Sequence, residues 1–425
     1  MTAKRSDTLT RLACYIGFVT QAVIINLAPL YFVIFRDTYG ISTGRLTLLI
    51  TVNFLTQLFT DLFAVRFSTR IGLKRCAIGA HIFCALGLMA LAFLPRFTAL
   101  TYSGMLIATV LYSIGGGLLE TVINPIFSAL PKKRGGIGLS LMHAFYCIGQ
   151  MAVVLLTTLA LALFGESTWW GIALGWSAVP ILNTVLLVLS PIREPSEEEA
   201  RDSLSVAPTA TKKDNCHIMY GFVLCLIMIL AAGATEQALS QWASYFAEIS
   251  LSVDKTVGDL LGACLFAFLM AGGRILMGLF GDRFDIRRAI LLSALLSLSL
   301  YLLASLSKHA VISLAACAAT GLAVSILWPS VLDMAGNAYG ASPRVFGLLS
   351  LFGDLGCMLG PSLAGEVADA VEFTVWGREL AARLGIAVEA VAIRAGILAS
   401  AVFPLLLILT LLTLMRVTKK KRVTV

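Results

Sequence analysis

The chain has 425 residues, of which 58% are hydrophobic and 13% charged, and its mean hydropathy is +0.90. A soluble domain carries about a quarter charged residues, so the composition excludes an ordinary soluble protein and points to one that spans a membrane. The net charge of +8 is no nucleic-acid signal, because the basic residues sit in short clusters between apolar runs, the pattern that orients membrane helices.

A span needs roughly 20 apolar residues to cross about 30 Å of hydrocarbon. Twelve runs qualify: 12–35, 45–66, 76–95, 100–130, 136–163 and 169–190, then 217–247, 257–280, 287–306, 309–336, 344–370 and 393–416. The N-terminus has a basic start and no small-residue cleavage site, so the first run is expected to be a retained helix. Nine cysteines lie mostly inside apolar runs without paired spacing, which suggests small core residues, with no disulfide framework and no metal site.

About 23 of the 32 Lys and Arg residues fall on one side of these spans, including Lys4, Arg5, Arg11, the stretch Arg66 to Arg75 and the tail from Arg416. That side is expected to be cytoplasmic, with both termini inside and the chain in the plasma (inner) membrane. The polar stretch 191–216 is rich in Pro, Glu and Lys and reads as a cytoplasmic linker. It divides the chain into a six-span bundle at 1–190 and another at 217–425. A second insertion, 371–392, lies on the other side and has the apolar spacing of a short amphipathic helix.

The halves look like copies of one unit. FSTRIGLKR (67–75) follows span two and FGDRFDIRR (280–288) follows span eight. A Gly-rich run leads to Asn124-Pro125 in span four, and another leads to Trp328-Pro329 in span ten. Thr20-Gln21-Ala22 in span one matches Glu236-Gln237-Ala238 in span seven.

GLFGDRFDIRR (278–288) resembles the cytoplasmic loop motif of the major facilitator superfamily, with Asp285 where a Gly is usual. The resemblance implies an all-α membrane protein of twelve helices in two pseudo-symmetric six-helix bundles. It also implies state-dependent latches at Arg70, Asp282 and Arg283. Within that superfamily, GGGLLETVINP (115–125) is similar to the fourth span of the fucose:proton symporter branch, where a Glu-Thr pair before Asn-Pro lines the central cavity. Asn26-Leu27 fits a polar stretch of that branch's first span, but no acid accompanies it here.

In such transporters the site lies near the midplane between the halves. Helical rise places Glu120 about 18 Å from the cluster at Lys132, Glu236 about 18 Å from Glu248, and Asp354 about 15 Å from Arg344. His143 and Asn26 fall at about 14 and 15 Å from their own membrane boundaries. An ionised carboxylate at that depth costs at least about 2.5 kcal/mol, so Glu120 must be neutralised, paired or hydrated. Asn124 is one turn away on the same face.

Glu120 is therefore the first proton-coupling candidate and Glu236 the second. Asn26, Glu120, Asn124, His143, Glu236, Gln237, Trp242, Trp328 and Asp354 are the candidate solute contacts. Arg274 is intramembrane and needs a partner, for which Asp333 or Asp354 are expected in a structural or gating ion pair. The Gly-Pro run at 356–365 has the look of the superfamily's antiporter motif, but it stands in span eleven rather than span five. That favours symport.

The sequence is thus expected to encode a secondary transporter, not an enzyme, that takes up a small polar solute such as a sugar by alternating access. It would use no cofactor and be driven by an ion gradient, of protons in the first instance, and work as a monomer. An exporter or antiporter of drugs or metabolites is the first alternative, and a non-transporting membrane receptor the second.

Overall fold

A computed structural model describes residues 3–97, 101–128, 130, 138–192, 212–280, 284–339 and 343–423. Among the described residues, twelve helices are long and apolar enough to cross a membrane: Asp7–Tyr39, Thr43–Ala64, Leu73–Arg96, Thr101–Phe127, Ala144–Phe164, Glu166–Leu189, Met219–Ser250, Lys255–Phe280, Ile286–Leu306, Ala310–Tyr339, Gly347–Phe373 and Val388–Val417. They are numbered spans one to twelve in chain order. Each coincides with one of the apolar runs. Most of the linker, 193–211, lies outside the described residues.

Large apolar side chains such as Leu182, Leu292 and Val311 are exposed. In water such a surface would drive association; toward lipid it is the expected outer face of a bundle. With twelve spans, both chain ends leave from one face, the terminal face. The insertion after span eleven forms the helix Val375–Leu384 on the other face, capped by Thr374, whose hydroxyl accepts from the Gly377 N–H at 3.0 Å.

Several spans are broken where the sequence forbids a regular helix. Pro29 has no N–H to donate, and span one changes there to a 3-10 turn, Ala28–Tyr31, before resuming as Phe32–Tyr39. Span ten breaks between Val324 and Leu327, just ahead of Pro329. Pro125 and Pro361 lie inside continuous helices.

The face opposite the termini is sealed by contacts between the halves. Span two begins with Ser42 as its cap, and the Gly44 N–H donates to the Asp369 carboxylate of span eleven at 2.6 Å. A Cβ at Gly44 would lie 2.8 Å from Asp369 Oδ1, so a larger residue there would push the carboxylate aside. Thr43 donates to Glu372 at 3.1 Å, Arg36 pairs with Glu389 at 3.2 Å, and Lys255 donates to the Leu30 carbonyl at 2.8 Å. Carboxylates against a helix N-terminus are favoured by its dipole.

Candidate functional site

Span four approaches spans two and three closely because of its glycine run. A Cβ at Gly117 would meet the Gln57 carbonyl at 2.6 Å, and one at Gly116 would sit 3.0 Å from Gln57 Oε1. This contact lays Glu120 beside the inner side of span two, where Asp61 stands. Asp354 reaches the same point from span eleven. One carboxylate oxygen from each of Asp61, Glu120 and Asp354 lies within 4.8 Å of the others. Two acids come from the first half and one from the second, so the group bridges the interface between halves.

Compensation for these charges is sparse. Thr121 donates to Asp61 Oδ1 at 2.9 Å, while Asp61 Oδ2 is buried without a hydrogen-bond partner. The Gln21 amide donates to Glu120 Oε2 at 3.5 Å. Like charges this close repel one another unless something compensates them. The sequence showed no metal-ligand spacing, yet folding assembles three carboxylates that could hold a cation, because they come from spans two, four and eleven.

Glu236 has a different fate. Arg274 Nη2 donates to both of its carboxylate oxygens, at 3.2 and 3.0 Å. The same guanidinium donates to the Ser325 carbonyl at 3.3 Å and to Cys147 Sγ at 3.3 Å. The partner expected for Arg274 was Asp333 or Asp354. Instead Asp333 is exposed and Asp354 faces Glu120, while span seven brings Glu236 alongside span eight. A buried guanidinium takes the carboxylate within reach of its fork.

A set of carboxamides surrounds these charges. Gln57 donates to Asn53 Oδ1 at 2.8 Å, and Gln21 donates to Gln57 Oε1 at 2.9 Å. Ser113 also donates to Asn53 Oδ1, at 2.6 Å. Across the interface Gln241 donates to Gln237 Oε1 at 3.1 Å, and Gln150 donates to Ser240 at 2.9 Å. Asn53 and Gln241 line a narrow cavity of about 10 Å³ between the halves, with Ile25, Phe32, Ile50 and Tyr112. It has room for about one water. Of this set only Gln237 stood among the sequence candidates. The missed amides carry a legible signal: a polar residue every fourth position of span two, Asn53, Gln57 and Asp61, on one helical face.

The remaining candidates are dispersed. Asn26 donates to the Ala22 carbonyl at 2.9 Å and to Tyr146 at 3.4 Å. Asn124 donates to the Glu120 carbonyl at 3.2 Å, and its Oδ1 is buried without a partner. Trp242 is fully buried, donates to the Pro361 carbonyl at 2.9 Å and packs on Phe32 with ring centroids 5.5 Å apart. Trp328 packs against the backbone at Gly233 and Gly353. Both tryptophans are packing residues in this conformation. Arg70 is exposed. The His143 side chain, Asp282 and Arg283 lie outside the described residues.

Twelve spans, a bridged interface and a polar midplane define a two-bundle membrane transporter. The family comparison agrees: the model described as Major Facilitator Superfamily matches residues 13–361 and 249–424, and the chain belongs to that superfamily. It is therefore a transporter and not an enzyme.

Comparison with curated sequences returns no match. Among solved structures, the chain is similar to a bacterial homolog of the human lysosomal transporter Spinster, inward-facing and occupied, with a TM-score of 0.72, 15% identity and 98% of each chain covered. It is also similar to the D323A mutant of the nucleoside transporter NupG, with a TM-score of 0.69, 13% identity and 96% and 99% covered. FucP in the outward conformation gives a TM-score of 0.62, 16% identity and the same coverage. At these identities the likeness concerns the fold.

Proposed function

We propose that this chain is a proton-coupled importer of a small polar solute, such as a sugar, working by alternating access. The observation that carries the reading is the Asp61–Glu120–Asp354 group, which puts unpaired acid on both sides of the interface about which the halves move. Two unit charges 4.8 Å apart repel by about 3 kcal/mol at an effective dielectric of 20. Protonation removes that repulsion and lets the halves approach at this level. Deprotonation opposes their approach. Glu120 is the principal proton carrier, with Asp61 and Asp354 as its partners. Glu236, held by Arg274, serves as a fixed structural charge.

Two further features support the reading. Carboxamides donate and accept at once, which suits a hydroxylated solute without formal charge, and Gln237 belongs to that polar set. Solved structures of this fold include a D-xylose-proton symporter, with a TM-score of 0.69 at 14% identity. The terminal face is read as cytoplasmic and the membrane as the plasma membrane, from the basic clusters. The contacts that seal the opposite face support reading this conformation as one closed on the outer side.

The test is uptake by the purified protein in liposomes. Labelled fucose, xylose and uridine are offered with and without an inward proton gradient. Gradient-driven accumulation should be found for one of them, and Glu120→Gln should abolish accumulation while leaving solute exchange at zero gradient. Normal accumulation by Glu120→Gln would overturn the assignment. Gradient-driven extrusion would identify an exporter, and binding without flux a receptor.

A further inference from the structure

The helix Val375–Leu384 stands on the face opposite the termini, tied at both ends to spans. Only Thr374 separates it from the end of span eleven, and residues 385–387 join it to span twelve. Its ten residues measure about 15 Å. The Ile386 N–H folds back to the Ala381 carbonyl at 3.2 Å, so the short link to Val388 has little reach to spare. A Cβ at Gly377 would collide with the Val371 carbonyl, so the first turn is pressed on the last turn of span eleven. The helix therefore lies along the rim of the bundle, at the level where two spans leave the hydrocarbon.

Its sides differ. Gly377 and Ala381 are buried against the bundle. Beside them Trp376, Leu380 and Leu384 recur at every fourth position, on one helical stripe. Trp376 is 56% exposed and Leu384 48%. Phe373 and Ile386, at the two flanks, are exposed as well. Arg383 is exposed at the edge of the stripe, two turns from Trp376, while Arg378 and Ala382 are exposed on the far side. Arg378 donates to the Thr374 and Phe373 carbonyls, at 3.4 Å each. The apolar surface does not end with this helix: span twelve presents Leu398, Val402 and Leu405 on its own exposed face. An indole and two leucines edged by an arginine match the boundary of a bilayer, where the rings sit at headgroup level and the long basic chain reaches phosphate. The leaflet that both neighbouring spans cross is the surface within reach of this stripe.

We propose that Val375–Leu384 is an interfacial anchor, with Trp376, Leu380 and Leu384 in the headgroup–acyl boundary of the adjoining leaflet and Arg383 on a lipid phosphate. The anchor holds the seal described above. Asp369 and Glu372 stand just before the helix and Glu389 just after it. These are the acids that meet Gly44, Thr43 and Arg36 of the first half. Contact with lipid thus fixes the second-half rim of the seal, and loss of that contact frees it.

The test reads Trp376 in the full-length protein in phosphatidylcholine–phosphatidylglycerol vesicles, brominated either near the headgroup or near the chain end. The Trp376 signal is the difference in emission between the protein and Trp376→Phe. An interfacial helix buries its apolar face by about 5–10 Å. Shallow bromines should therefore quench this signal more than deep ones, and aqueous acrylamide should quench it little. Quenching by acrylamide but by neither lipid would put the stripe in water and overturn the anchor. A signal that ignores bromine and follows the protein-to-lipid ratio would give the stripe to a second copy, and overturn it too. Bimane on Leu384→Cys, read with the same lipids, serves if Trp376→Phe does not fold. Arg383→Gln should lessen the shallow quenching, and no change would remove Arg383 from the anchor.

A second arm reads the seal. Trp376→Glu/Leu384→Glu should raise the rate at which a cysteine placed near Thr43 is labelled from solution. Ala382→Glu, which puts a charge on the far side of the helix, should not. An unchanged rate in the double variant, or an equal rise in Ala382→Glu, would cut the link between anchor and seal. Neither arm needs a solute or a gradient, so both stand apart from the proposed coupling.

Discussion

Two charged regions of the molecule are handled in opposite ways. By the internal repeat, Asp61 in span two corresponds to Arg274 in span eight. In the second half Arg274 closes on Glu236 through two hydrogen bonds, and the charges cancel. In the first half Asp61 meets Glu120 with no basic side chain paired to either among the described residues, and Asp354 adds a third acid. One duplicated scaffold thus carries a finished ion pair and an unfinished cluster. The finished pair holds two helices together. The unfinished one is the group on which the proposed coupling rests.

The contrast can be broken from either side. The largest effect is expected for Arg274→Met, which leaves Glu236 buried and alone, a loss of about 3–5 kcal/mol. Thermal unfolding in detergent should show a lowered midpoint, and the double variant Arg274→Met/Glu236→Gln should recover most of it. Next is Gly44→Ala. Displacing Asp369 from the span-two N-terminus removes a hydrogen bond to a charged group, worth about 1.5–3 kcal/mol. Labelling of a cysteine placed near Thr43 should rise as the sealed face opens.

Asp61→Asn should act in the opposite sense. It removes one repelling acid, and the unfolding midpoint should stay or rise by the equivalent of about 1 kcal/mol, while the pH profile of uptake moves. A fall as large as that of Arg274→Met would erase the difference between the regions.

The smallest effect belongs to an exposed acid that is fully served. Asp285 caps span nine, and hydrogen bonds from the N–H groups of Arg288 and Arg287, at 3.0 and 2.9 Å, hold its carboxyl below the usual aspartate range. Its folded-state value is depressed, so its contribution is present above about pH 4 and is lost as pH falls through the lower folded value. Stability of Asp285→Asn against pH should differ slightly from the unmodified protein at neutral pH and converge with it in acid.

The spans were legible because length and hydropathy suffice to mark a helix that crosses lipid. Glu120 was legible as an acid where acids are costly. The company each charge keeps was not. Helical rise gives depth along a span but not which neighbour a side chain faces, so Glu120, Glu236 and Asp354 could be placed at one level without showing which of them meet. Asp61 was not among the site candidates, because its pairing with Glu120 depends on the close contact made by Gly116 and Gly117 with Gln57. Trp242 looked like a solute contact from its span alone. Its indole instead lies between Phe32 and the carbonyl of Pro361.

The place of Trp242 also has a practical side. Phe32 belongs to one half and Trp242 to the other, and the indole is wholly shielded. If the halves part on the face opposite the termini, this ring loses its apolar neighbour and meets water, and its emission should shift to the red. With the other five tryptophans replaced by phenylalanine, Trp242 becomes an optical gauge of the outward-open population, read without label or solute.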